Sequence, residues 1–271
     1  MARFLVSGLA NTETCARVRG FPIPYYPIDY PFFGVGPGVS GVGVNVAKAL
    51  AALGDGVSLC SLVGRDAGGR WVKAELERAG IGTEYVRETD GKTAASVVLH
   101  DGEGRRQIHC DLKDLQGRDY DFGSAPVEEA DMVVACNIHF SRGLLRRAKE
   151  LGKRVATDVH VLGDPDDEYN REFMAAAEVL FLSDEGAGDN PRGLMAALAE
   201  RYGNRVVAMG RGAKGALLLH EGRFTELPAW DVGGVRNTVG AGDALFAAFC
   251  TITRGGWRRR RLWTGRSWRR R

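Results

Sequence analysis

Cysteine pairing motifs are missing from this chain. Its five cysteines (Cys15, Cys60, Cys110, Cys136 and Cys250) are odd in number and scattered, with no C-x-x-C spacing. That excludes a zinc knuckle and a disulfide frame, and it fits a reducing compartment. Long hydrophobic runs are missing too. No segment is long enough to span a bilayer, and the apolar start Phe4-Leu5-Val6 is too short for a secretory signal, so a cytoplasmic protein with no membrane partner is expected. Acids are absent from Arg258 to Arg271, which holds eight arginines; taking these from the net charge of +3 leaves −5 for the rest. The body is mildly acidic and lacks the basic footprint of a nucleic-acid binder, so no nucleic-acid partner is expected.

What is present suits one large α/β domain: 271 residues, 44% hydrophobic and 26% charged. Phe4–Val6 reads as a buried first strand, and Val57–Gly64 as a second that leads into a helix through about Ala79. A helix is expected over Val46–Leu53, ended by Gly54. Ala94–His100 and Arg105–Cys110, joined by Asp101-Gly102-Glu103-Gly104, read as a hairpin on which Arg106 and His109 either face substrate or, as strand residues more often do, face solvent. Further strands at Met132–Ala135, Arg154–Asp158, Val179–Leu182 and Arg205–Met209 give the alternation of a parallel sheet. Asn137, His139 and Asp158 fall at strand ends, where ligands bind in such sheets. Between Arg17 and Phe33, Pro22, Pro24, Pro27 and Pro31 forbid a helix, and the aromatics among them suggest an exposed flap.

The chemistry concentrates in Asn237-Thr238-Val239-Gly240-Ala241-Gly242-Asp243, which runs into the helical pattern Ala244–Phe249. A helix start offers unpaired N–H groups and a positive dipole end, and glycine lets an anion come close to them. A carboxylate there suits a base facing an incoming nucleophile. On the residues alone, a plain helix start with an acidic first turn fits almost as well.

This stretch resembles the G-A-G-D signature of the ribokinase-like carbohydrate kinases, the family of the phosphofructokinase B type. Ser40-Gly41-Val42-Gly43-Val44-Asn45-Val46-Ala47 resembles the same family's G-G-x-x-x-N-x-A signature, with Ser40 in place of the first glycine. The resemblance covers about residues 2–254. It implies a ribokinase-like three-layer α/β fold: a mostly parallel central sheet, helices on both faces and a small β lid. The kinase domain would span 1–256, with lid segments at about 14–33 and 92–112. The implied function is transfer of the γ-phosphate of ATP, with Mg²⁺, to a hydroxyl of a sugar or sugar derivative. Asp243 would be the catalytic base and Gly240, Ala241 and Gly242 the anion hole. Asn11, Glu13, Gly41, Gly43 and Asn45 would hold the sugar; taken alone, Asn11 and Glu13 read equally as a polar turn and Asn45 as a helix cap. Thr238, Gly212, Lys214, Gly215, Asp184 and Glu185 would line the nucleotide phosphates, Glu185 meeting the metal through water. In Ser183-Asp184-Glu185-Gly186-Ala187 the family's N-x-x-E pattern has changed, Asp184 standing at the Asn position and Ala187 at the Glu position.

Two other readings are open: a nucleoside kinase of the same fold, its base stacked on the aromatic segment with Tyr25, Tyr26, Tyr30, Phe32 and Phe33, and an impaired sugar-binding protein. A homodimer is compatible with either. Asn237 stands where many family members have Asp, so a bound monovalent cation and potassium activation are not expected. The tail 257–271, with three tryptophans among its eight arginines, shows no helical or strand pattern and is not native family sequence as we read it. Shifting the frame from the last base of the Gly256 codon permits an Ala/Glu-rich helix former instead. A frameshifted end implies missing closing helices beside the adenine pocket and weak nucleotide binding.

Overall fold

Phe4 and Val6 pack on one side of the first strand and Leu5 on the other, because that strand lies in the middle of a sheet covered on both faces. The computed structural model describes residues 1–230 and 238–253; Asn237 and the tail 257–271 lie outside the described residues. In chain order the elements are β1 (Arg3–Ser7), β2 (Asn11–Arg17), β3 (Val35–Ser40), α1 (Val42–Ala52), β4 (Gly56–Gly64) and α2 (Ala67–Arg78). Then come β5 (Val86–Thr89), β6 (Ala95–His100), β7 (Arg106–Asp111), β8 (Met132–Ala135), α3 (Arg142–Glu150), β9 (Val155–Val161) and α4 (Arg171–Ala176). The described chain closes with β10 (Val179–Ser183), α5 (Pro191–Tyr202), β11 (Val206–Gly210), β12 (Ala216–His220), β13 (Arg223–Leu227) and α6 (Ala241–Thr253).

Nine strands form the main sheet in the order β13-β12-β11-β10-β9-β8-β1-β4-β5, parallel from β11 to β5, with β12 and β13 added antiparallel. One apolar layer joins this sheet to α1, α2 and α6 through Val46, Leu50, Val72, Leu76, Phe246 and Phe249. The opposite layer joins it to α3, α4 and α5 through Leu144, Phe173 and Leu198. Each such fully buried side chain contributes about 1.5–3 kcal/mol relative to exposure, so the three-layer arrangement follows from the two-sided apolar strands. β1 pairs with β4 on one side and β8 on the other. The chain thus departs in opposite directions around β1, which opens a crevice at the carboxyl ends of these strands.

A second sheet, in the order β3-β2-β6-β7, stands above that crevice. It corrects the expected lid boundaries. Its first two strands are residues 11–17 and 35–40, and the proline-rich aromatic stretch between them is an irregular connection with Tyr25, Phe32 and Phe33 exposed. β3 was hidden in the sequence by Gly36, Pro37 and Gly38; it lies at a sheet edge, where a proline costs no ladder hydrogen bond. α1 begins at Val42, four residues before the expected start, because its cap is Gly41 and not Asn45. α2 starts as expected: the Asp66 carboxylate accepts from the Gly69 N–H at 2.9 Å and from the Thr93 hydroxyl at 2.6 Å. The Thr93 hydroxyl and the backbone donors hold that carboxyl down at about 2.

Candidate active site

α1 and α6 lie side by side on one face of the sheet, and both begin at the crevice. Their first turns differ in what they leave open. In α1 the Leu9 carbonyl accepts from the N–H groups of Gly43 (3.0 Å) and Val44 (3.4 Å), so that helix start is closed by protein. Gly41, at φ +104°, has no room for a Cβ against the Leu9 carbonyl, and a Cβ on Gly43 would sit 2.6 Å from the Gly8 carbonyl carbon. These two glycines therefore let α1 press onto the end of β1, with the Asn11 Oδ1 also against Gly41.

In α6 the Thr238 carbonyl accepts from the Ala241 N–H at 3.2 Å and the Gly240 carbonyl from Ala244 at 2.9 Å. Among the described residues, no acceptor meets the N–H groups of Gly242 and Asp243. Gly240 sits at φ +74°, a conformation that favours glycine, and a Cβ on Gly242 would point into open space. This helix start has the form of an anion cradle.

Asp243 projects from the same turn and meets Asn45, the fourth residue of α1. The Asn45 amide donates to the Asp243 carboxylate at 2.7 Å and to the Ser40 hydroxyl at 3.3 Å. Residues 198 apart in sequence thus meet at one point. Burial pushes the Asp243 carboxyl up to about 6, helped by the Asp158 charge, while the Asn45 hydrogen bond, His160 and Arg106 pull it down. Asp158, only 3% exposed in the middle of β9, is raised by burial as well. The His160 N–H donates to it at 2.8 Å, with the imidazole Nδ1 3.6 Å away. His160 is held at φ +57°, a strained conformation for a non-glycine residue that turns its backbone N–H toward the buried carboxylate.

The other residues singled out in the sequence divide into two sets. Asn11, 2% exposed, donates to the Ser96 hydroxyl at 2.8 Å, and Ser96 in turn donates to Glu13 at 3.2 Å. The Asn11 amide is therefore turned inward, its Oδ1 buried without a partner, and Glu13 is the more open of the two. Asp184 and Glu185 form a short turn after β10, next to the β11–β12 turn that carries Gly212 and Lys214. Gly215 packs against the backbone of Leu227, while α6 reaches this edge through Leu245, close to Gly210. His139, at the end of β8, faces Asp119 at 3.5 Å and takes no part in the cluster around Asp243.

Arg106, exposed on β7, also reaches across to Thr238, with Nη1 3.1 Å from Oγ1 and 3.4 Å from the carbonyl oxygen. Its Nη2 lies 3.7 Å from Glu185. No local signal marks Ser96 or His160: Ser96 meets Asn11 and Glu13 only through the pairing of β6 with β2, and His160 meets Asp158 only because its backbone takes a positive φ.

This geometry agrees with what the chain is similar to. The pfkB family carbohydrate kinase profile matches residues 33–252. An ATP-dependent ribose-1-phosphate kinase from Halopiger xanaduensis is 32% identical over 225 residues, covering 77% of this chain and 71% of that protein. A fructosamine kinase from Bacillus subtilis is 25% identical over 236 residues, covering 84% and 79%. The structure of Arabidopsis thaliana ribokinase complexed with ribose and ATP superposes with a TM-score of 0.75 at 20% identity, covering 94% of this chain and 86% of that one, and shares the fold. With its two signatures meeting at Asn45 and Asp243, the chain belongs to the pfkB family of carbohydrate kinases.

Proposed function

We propose that this kinase transfers the γ-phosphate of ATP to a hydroxyl of a small sugar or sugar derivative, with ribose-1-phosphate, fructosamine and fructose the first acceptors to try. The names of its relatives supply those candidates. The observation that carries the reading is the 2.7 Å bond between Asn45 and Asp243, which puts a carboxylate raised to about 6 beside an open helix start. A base poised near 6 is mostly ionised at neutral pH and still takes a proton well.

In the proposed reaction the acceptor hydroxyl gives its proton to Asp243 while its oxygen attacks the γ-phosphorus. The N–H groups of Gly242 and Asp243 steady the phosphoryl oxygens in transfer. Glu13 and the free oxygen of Asn45 hold the sugar, and the small sheet above them acts as a lid that excludes water. Gly212 and Lys214 flank the nucleotide phosphates, with Thr238 at the entry to the anion turn. The donor set at the β10 end fits Mg²⁺ carried by a nucleotide, since that ion needs only one or two carboxylates besides phosphate oxygens. Asp184 and Glu185, the latter with a side chain 61% exposed, would meet it through water, where it neutralises phosphate charge. The test is ADP release with ATP and Mg²⁺ over a panel of ribose, ribose-1-phosphate, fructose, fructosamine and adenosine. Release dependent on a sugar supports the proposal; release with adenosine alone moves the acceptor to the nucleosides; no release with any acceptor rejects it.

A further inference from the structure

Asp158 is a buried acid that the reaction above leaves unused. It is paired in register with Phe181 of β10, and such neighbours point to the same face of a sheet. The Phe181 ring packs on Phe246, which lies about one turn along α6 from Asp243, with 5.6 Å between ring centroids. The Asp158 carboxylate therefore lies on the α6 face, close to the turn that carries the base, and its charge reaches Asp243. Just past Asp158 the strand is irregular. From Phe181 to Ser183 the partner strand moves on by one residue too many, since Ser183 pairs with Val161. His160 lies in that bulge, at φ +57°. A bulge re-aims a side chain, and strain of this kind is kept where it serves a site. Backbone shape alone does not ask for an imidazole, because asparagine or glycine takes a positive φ more readily and offers Asp158 the same N–H. What histidine adds is a ring whose Nδ1 stands 3.6 Å from the buried carboxylate, on a side chain that is 42% exposed. Among the described residues, no hydrogen-bond partner meets its Nε2. The imidazole thus joins a buried acid beside the base to water.

We propose that His160, held by Asp158, is the proton outlet of the site: its imidazole takes from Asp243 the proton that came from the acceptor hydroxyl and hands it to water. This rests on the kinase reading above. Asp243 gains one proton in each turnover and must lose it before the next, while Asn45 occupies one of its oxygens and the acceptor the other. In the step, the O–H bond of protonated Asp243 breaks as an N–H bond forms on the ring. The imidazolium then gives its proton to a water or buffer base, so both residues return to their starting state and no electrons change hands. An imidazole suits the passage because its ordinary titration range falls between about pH 5 and 8. The Asp158 carboxylate fixes the ring and offsets its charge while the proton is in transit. Two thiols close by, Cys136 and Cys250, are pushed well up by burial and keep their protons, and Arg106 is a permanent cation, so none of these competes for the task.

The experiment compares the full chain with His160→Gly and His160→Asn, both of which accept the positive φ, each checked for an unchanged melting temperature. With ATP, Mg²⁺ and an accepted sugar, ester is followed by rapid quench and released proton by an indicator dye in weak buffer. In the parent the two are expected to rise together. In both variants a first ester per site should form at the parental rate, with proton release lagging behind it and kcat lower by about 10²-fold. Imidazole added to His160→Gly should restore kcat in proportion to its concentration, because it enters the space the side chain left. His160→Asn, whose side chain fills part of that space, should gain less. A merely structural histidine predicts a loss that imidazole does not repair. The proposal is overturned by parental kcat in both variants, by a proton released in step with the ester in His160→Asn, or by a loss in His160→Gly that imidazole leaves untouched. If His160→Gly melts lower than the parent, the lag in His160→Asn decides alone. A parent that makes no ester with any sugar rejects the kinase reading, and the outlet falls with it.

Discussion

Removing the amide that faces Asp243 should move the pH dependence of catalysis by a definite amount. In the structure, burial raises the carboxyl to about 6, and the Asn45 hydrogen bond opposes that rise. A hydrogen bond to a charged group contributes about 1.5–3 kcal/mol, and one pKa unit corresponds to about 1.4 kcal/mol. Asn45→Ala should therefore lift the carboxyl by about one to two units, to about 7–8. The base must be ionised to act, so the acid limb of kcat/KM should shift upward by the same amount. At pH 7 the ionised fraction would fall from about nine-tenths to between about a half and a tenth. Asn45 also stands where sugar is proposed to bind, so the rate at one pH is a poor readout; the limb's midpoint is the quantity to measure, from initial rates between pH 5 and 9. A midpoint unchanged in the variant would refute the claim that Asn45 sets the ionisation of the base.

The remaining predictions concern the same turn. Asp243 has a folded-state pKa of about 6 against an ordinary 3.8, so the folded protein binds the extra proton between those values and loses stability as pH rises through that window. Asp243→Asn should then melt higher than the parent at pH 8 by up to about 3 kcal/mol in stability and show little difference at pH 4; equal melting temperatures at both would contradict the burial argument. Gly242→Ala places a methyl group in open space, so its stability should stay within about 0.5 kcal/mol of the parent. Its kcat should nonetheless fall on the order of 10²-fold, because the methyl displaces the phosphoryl group; normal turnover would show that nothing approaches this backbone.

The core of the fold was legible because its signals are local. Two-sided apolar runs such as Val57–Gly64 and the hairpin 94–110 followed from pattern, and the order of strands and helices fixed a parallel sheet. β3 and the start of α1 were not legible, since Gly36, Pro37, Gly38 and Gly41 carry no strand or cap signature and take their conformation from β2 and from the Leu9 carbonyl. Asn45 and Asp243 could be named as candidate site residues from two motifs, but not the bond between them, which follows from the packing of α1 on α6. Asn11 shows the opposite limit. Its residue type suits a sugar ligand, but its amide nitrogen donates to Ser96, a partner 85 residues away that no local pattern points to, while its Oδ1 is left without a partner.

The central claim is that Asp243 removes a proton from a sugar hydroxyl as that hydroxyl takes the γ-phosphate of ATP. The most direct test follows the reaction by phosphorus NMR with ATP, Mg²⁺ and each candidate sugar, comparing the parent with Asp243→Asn at pH 7.5. The account predicts a new sugar-phosphate ester resonance growing with ADP in the parent, and a rate lower by about 10²–10⁴ in Asp243→Asn with sugar affinity little changed. An ester formed at near-parental rate by Asp243→Asn, or ADP appearing with inorganic phosphate and no ester, would contradict it.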